Sequence, residues 1–200
     1  MACFLLIHAW KCSPESVRPL ARRIQDLYPD ARVLAPRALL DDEWFSYLTD
    51  HRGAQEDLVD TRKLRGSRGE ILSLLAREAV DVEKLVVVGF SQGGCMALDL
   101  ATHVKVLAVI TVVSHVLYAS RPLKLLAPWY ALVCERDDVF PLRGWAGVDL
   151  HRASSVEVHS YDHYVPDSVA ERFVLRSATI AIERQRKERA HDKRARGARE

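Results

Sequence analysis

Two hundred residues, 48% apolar and 28% charged, suffice for one domain with a sizeable core and are ordinary globular composition. The formal net charge is +2, but eight Lys/Arg against four Asp/Glu between Glu183 and Glu200 give that tail +4, so residues 1–182 carry −2. A near-neutral body argues against nucleic acid as a partner. Four cysteines (Cys3, Cys12, Cys95, Cys134) without a C-x-x-C pair or metal spacing to histidine read as free thiols of a reducing compartment.

The apolar start, Ala2 to Trp10, is too short to span a bilayer and lacks the basic region and cleavage site of a secretory leader. A cytoplasmic location is the expectation. Cys3 to His8 reads as a strand covered on both faces. Ser13-Pro14 opens a helix, with Ser13 as N-cap and Pro14 at the first helical position. Val17, Leu20, Ala21, Ile24 and Leu27 follow at helical spacing, and Pro29-Asp30 ends the run. Arg32 to Pro36 is a short second strand. Residues 37–65 are polar and carry an aromatic patch, Trp44 to Leu48. Trp10, Trp44 and Phe45 fit either the lining of an acyl pocket or an aromatic core.

A helix over about Gly66 to Val80 presents Ile71, Leu74, Leu75 and Ala79 on one face. Leu85 to Val88 is a third strand, 93–103 a helix, and Val106 to Val113 a fourth strand. Trp129 to Cys134 and Ser155 to His159 are the fifth and sixth. Val165, Val169, Phe173, Val174, Ala178 and Ile182 mark a closing helix. Buried strands alternating with amphipathic helices imply an α/β fold, a compact mostly parallel sheet of about six strands with helices on both faces. The expected organisation is one domain over 1–182 and a basic tail over 183–200, either extending the last helix or disordered. Weak contact with an anionic membrane surface stays open for that tail.

Gly89-Phe90-Ser91-Gln92-Gly93-Gly94 sits between the third strand and a helix. Strand, G-x-S-x-G and helix in that order form a nucleophile elbow, a turn that exposes the serine hydroxyl at the end of the sheet. A serine needs a base, and the base an orienting acid, which in such chains follow in the order Ser, Asp/Glu, His. Asp137 and Asp138 follow the fifth strand and His163 follows the sixth, all at carboxyl ends, where parallel sheets gather their chemistry. Asp162 is an alternative partner of His163, and His159 an alternative base.

The chain resembles the α/β-hydrolases of the small phospholipase/carboxylesterase group that includes the acyl-protein thioesterases. Gly89 to Gly94 matches that group's G-F-S-Q-G-G, and Asp137 to Pro141 resembles its D-x-x-V-P segment. His159 to Pro166 is also similar to the H-x-G-G-H-x-V-P ending of the "family of serine hydrolases" group. The resemblance implies a six-stranded version of the fold, a Ser91, His163 and Asp137 triad, and no metal or organic cofactor. It further implies an oxyanion hole made by the backbone N–H groups of Trp10 and Gln92. The chain departs where these families carry H-G after the first strand, having His8-Ala9-Trp10. It also has Cys134-Glu135 for His-Gly, and Tyr161-Asp162 for glycines before the late histidine. The implied activity is hydrolysis of carboxylic esters or thioesters, on a small acyl ester or an acylated protein. The alternative is a degraded hydrolase fold serving as a binding or scaffold protein.

Overall fold

The computed structural model describes residues 1–39, 41–47, 59–117, 124–140 and 153–197, with side chains described as far as residue 192. Leu48, Pro141 and the end of the basic tail therefore lie outside the described residues. Six strands form one sheet: β1 (Cys3–Ile7), β2 (Arg32–Leu34), β3 (Leu85–Phe90), β4 (Ala108–Val112), β5 (Trp129–Cys134) and β6 (Ser155–His159). Every pairing is parallel and the spatial order is β2-β1-β3-β4-β5-β6. The chain first moves outward from β1 to β2, then returns to build the other side from β3. The reversal leaves a crevice beyond the carboxyl ends of β1 and β3, where such sheets place ligands.

Alternation along the strands fills two cores. Cys3, Leu5, Ile7 and Val87 pack on one face with α2 (Thr61–Arg77) and α3 (Gln92–Ala101). Phe4, Leu6, Val86 and Val88 pack on the other with α1 (Arg18–Leu27) and α4 (Asp167–Gly197). Burial on both faces is why β1 and β3 read as apolar runs and β4 as one broken only by Thr111. Each fully buried aliphatic or phenylalanine side chain contributes about 2 kcal/mol.

Several boundaries differ from the sequence reading. A 3-10 turn over Pro14–Val17 precedes α1; Ser13 holds the N-cap position, but its hydroxyl makes no cap bond. Helix α2 begins at Thr61, because the Asp60 carboxylate accepts from the Arg62 and Lys63 N–H groups at 3.0 and 3.2 Å. Its first turn is mostly polar and exposed, which hid it from an apolar-periodicity reading. Helix α4 begins after Pro166, whose carbonyl accepts from Val169 and Ala170 N–H. It continues to Gly197, so the start of the basic segment is helical. Among the described residues no helix is long and apolar enough to cross a membrane.

Candidate active site

Ser91 follows β3 directly and has φ 49° and ψ −119°, a strained conformation that only surrounding structure can hold. The neighbouring glycines explain how. A Cβ on Gly89 would lie 2.3 Å from the Gly93 carbonyl oxygen, and one on Gly93 would lie 2.3 and 2.4 Å from the Ile7 and His8 carbonyl oxygens. On Gly94 it would strike the Ser114 side chain at 2.5 Å. The turn is thus wedged between the exits of β1 and β4. Ser91 N–H also donates to the Val112 carbonyl at 2.9 Å.

The loops after β5 and β6 are tied to each other. Glu135 N–H donates to the His159 carbonyl, Arg136 N–H to the Tyr161 carbonyl, and the Arg136 guanidinium to the Ser160 carbonyl at 2.7 Å. These bonds bring Asp137 beside His163. The His163 Nδ1 lies 2.9 and 3.1 Å from the two Asp137 carboxylate oxygens, and its Nε2 lies 2.9 Å from Ser91 Oγ. Asp137 is buried, and its Oδ1 also accepts from Val139 and Phe140 N–H at 2.9 and 2.7 Å, which fixes the carboxylate. Phe140 packs edge-on against the imidazole with centroids 5.2 Å apart. Asp138 is exposed. Asp162 accepts from Tyr164 N–H in a local turn, and His159 is bonded to Glu157 and stacked on Tyr161.

No family model and no curated protein matches the sequence. Solved structures do. Esterase PE8 superposes with a TM-score of 0.70 at 17% identity, over 91% of this chain and 92% of that one. The Bacillus cereus carboxylesterase gives 0.70 at 16%, over 90% and 88%. A carboxylesterase from Mesorhizobium loti gives 0.63 at 15%, over 84% of each chain. The chain has the α/β-hydrolase fold. Among the described residues its sheet is all parallel through six strands.

In this version of the fold the segment after β1 is a tight turn. Cys12 N–H donates to the Ala9 carbonyl at 3.1 Å, and Lys11 takes a left-handed φ of 54°. The turn faces the start of α3, where Gln92 supplies the first N–H, one with no acceptor inside the helix. Ala9, Trp10, Ser91 and Gln92 all line a cleft of about 710 Å³, together with Glu43, Tyr47, Phe140, His163 and Tyr164. Sequence reading missed most of that wall. It comes from loops that carry no periodic signal. Trp44 and Phe45 are instead buried core residues, at 2% and 0% exposure, whereas Trp10 is 45% exposed at the rim.

Behind the elbow lies a buried layer of Cys95, Ser114 and His115. Cys95 Sγ is 3.5 Å from Ser114 Oγ and 3.7 Å from His115 Nδ1. Burial pushes the Cys95 thiol up to about 11 and His115 down to about 4, so both are neutral near pH 7. Neither group can supply a thiolate or an imidazolium to the cleft there.

Proposed function

We propose that this protein is a serine hydrolase that cleaves carboxylic esters or thioesters through an acyl-enzyme on Ser91. The observation that carries the reading is the continuous line from Ser91 Oγ through the His163 ring to the Asp137 carboxylate, on a positive-φ serine lining a cleft. Neighbours in fold that are named esterase or carboxylesterase support the same class.

In this mechanism Ser91 Oγ attacks the acyl carbon while His163 Nε2 takes its proton. Asp137 keeps the other imidazole proton on Nδ1 and stabilises the imidazolium. The developing oxyanion accepts from the backbone N–H groups of Trp10 and Gln92. Collapse breaks the C–O or C–S bond, and His163 delivers its proton to the leaving alkoxide or thiolate. Water, deprotonated by the same imidazole, then releases the carboxylic acid and restores the serine. The cleft volume is that of a small-molecule site, which suits an acyl ester or the acyl end of a modified protein.

A fluorophosphonate probe tests the reading. Folded wild type should label, and Ser91→Ala should abolish both labelling and turnover of p-nitrophenyl esters. A folded wild type that leaves the probe unreacted would overturn the enzyme assignment and leave a non-catalytic binding role for this fold.

A further inference from the structure

Trp44 and Phe45 sit in the core, yet Trp44 spends every polar atom it has on one small region. Its indole N–H donates to the His8 carbonyl at 2.8 Å, on the last residue before the turn that holds Ala9 and Trp10. Its backbone N–H donates to Gln92 Oε1 at 2.9 Å, and the Gln92 amide returns a bond to the Phe45 carbonyl at 2.8 Å. Its own carbonyl accepts from Ser67 Oγ, which anchors the segment on α2. The residues just before it grip the same turn, since the Asp42 carbonyl accepts from Lys11 N–H at 2.9 Å and Glu43 accepts from the Trp10 indole at 3.0 Å. The His8 and Trp44 rings lie 4.9 Å apart, and His8, Trp44 and Gln92 are all buried.

We infer that Trp44 is a positioning residue that sets the spacing between the two oxyanion donors. This rests on the ester-hydrolase reading above. The Trp10 N–H hangs on the β1 exit and the Gln92 N–H on the start of α3. These are separate elements, and Trp44 bonds directly to both. A stabilising N–H must reach the oxygen at hydrogen-bond distance as charge develops, so the gap between the two elements is the quantity that matters. The tie also accounts for a working turn at Lys11 with alanine, not glycine, at position 9: bonds from residues 42–44 hold the turn from outside.

Trp44→Phe keeps most of the ring and deletes the indole N–H. The expected result is a fall in kcat of roughly 10- to 100-fold, with KM within about twofold, because misplacement of this order acts on the transition state. Amide hydrogen exchange at Lys11 should accelerate in the same variant. Leu75→Ala, in the same core but remote from the cleft, should lower Tm and leave both readouts at the wild-type level. Gln92→Met is nearly isosteric and cuts the link from its other end, so it gives the same test if Trp44→Phe does not fold. Unchanged kcat and unchanged Lys11 exchange in folded Trp44→Phe or Gln92→Met would overturn the inference. A kcat loss no larger than in Leu75→Ala would do the same. Lys11 exchange is readable without turnover, so a wild type lacking Ser91-dependent hydrolysis would fail the enzyme reading separately from the tie.

Discussion

Gly93→Ala puts the geometry of the elbow to a quantitative test. The added methyl would sit 2.3 Å from the Ile7 carbonyl oxygen and 2.4 Å from that of His8, where ordinary contact begins at 3.4 Å. Both obstacles are backbone at the exit of β1, a strand paired on both sides, so neither can swing aside. Helix α3 and strand β1 must therefore part by about 1 Å, in an interior packed as densely as a crystal. Overpacking of this kind costs about 1–3 kcal/mol, and the rigid obstacles place this case near the top. For a chain of this size about 3 kcal/mol lowers Tm by roughly 6–12 °C. The same displacement separates the proposed oxyanion donors at the β1 exit and the start of α3, so kcat should fall by about 100-fold even where the variant is fully folded. Thermal melts and p-nitrophenyl ester turnover at 25 °C read the two effects separately. A Gly93→Ala protein with wild-type Tm and wild-type kcat would refute the steric argument. Gly66, inside α2 with nothing within 4 Å of its added Cβ, supplies the opposite case: Gly66→Ala should raise stability by about 0.5–1 kcal/mol.

Asp137→Asn keeps an oxygen for the Val139 and Phe140 N–H groups but turns an NH₂ toward His163 Nδ1, which selects the tautomer unable to accept from Ser91; kcat should fall about 10⁴-fold with little change in Tm. Asp138→Asn should be neutral in the same assay, and the reverse ranking would show that the acid has been misassigned. Acid should also weaken the fold. Unfolded His115 takes up its proton near pH 6.5, whereas burial delays uptake in the folded protein to about 4, so the unfolded state binds more protons between those values. Stability therefore falls as pH drops through that window, by up to about 3 kcal/mol, and buried His8 acts in the same direction. Urea midpoints at pH 7 and pH 4.5 measure this, and an equal drop in His115→Gln would rule out His115 as the source.

The inner strands were legible because burial on both faces leaves almost only apolar residues, as in Leu85 to Val88 and, Thr111 apart, Val106 to Val113. The elbow was legible because its glycines are steric necessities. The positions of Asp137 and His163 were suggested by their place after strands, and the bonds between the two exit loops bring them within reach of each other. The first turn of α2 was not, since its exposed face is polar and carries no apolar period, although the Asp60 cap is a start signal that could have found it. The cleft wall escaped for a different reason: Tyr47, Phe140 and Tyr164 meet only in three dimensions. Trp44 and Phe45 resemble pocket residues in sequence, and only packing assigns them to the core.

The proposed nucleophile and base are mounted on very different ground. Ser91 rises from β3, whose residues are buried almost to the last, between two fully paired neighbours. His163 follows β6, an edge strand, with Val156 and Val158 partly in water and, among the described residues, β5 as its one pairing partner. Local opening in proteins starts where burial is thinnest. Fraying at that border would carry the imidazole away while the serine stayed cocked in its turn, so under the proposed mechanism the protein can fall silent long before it unfolds, and recover by closing one strand.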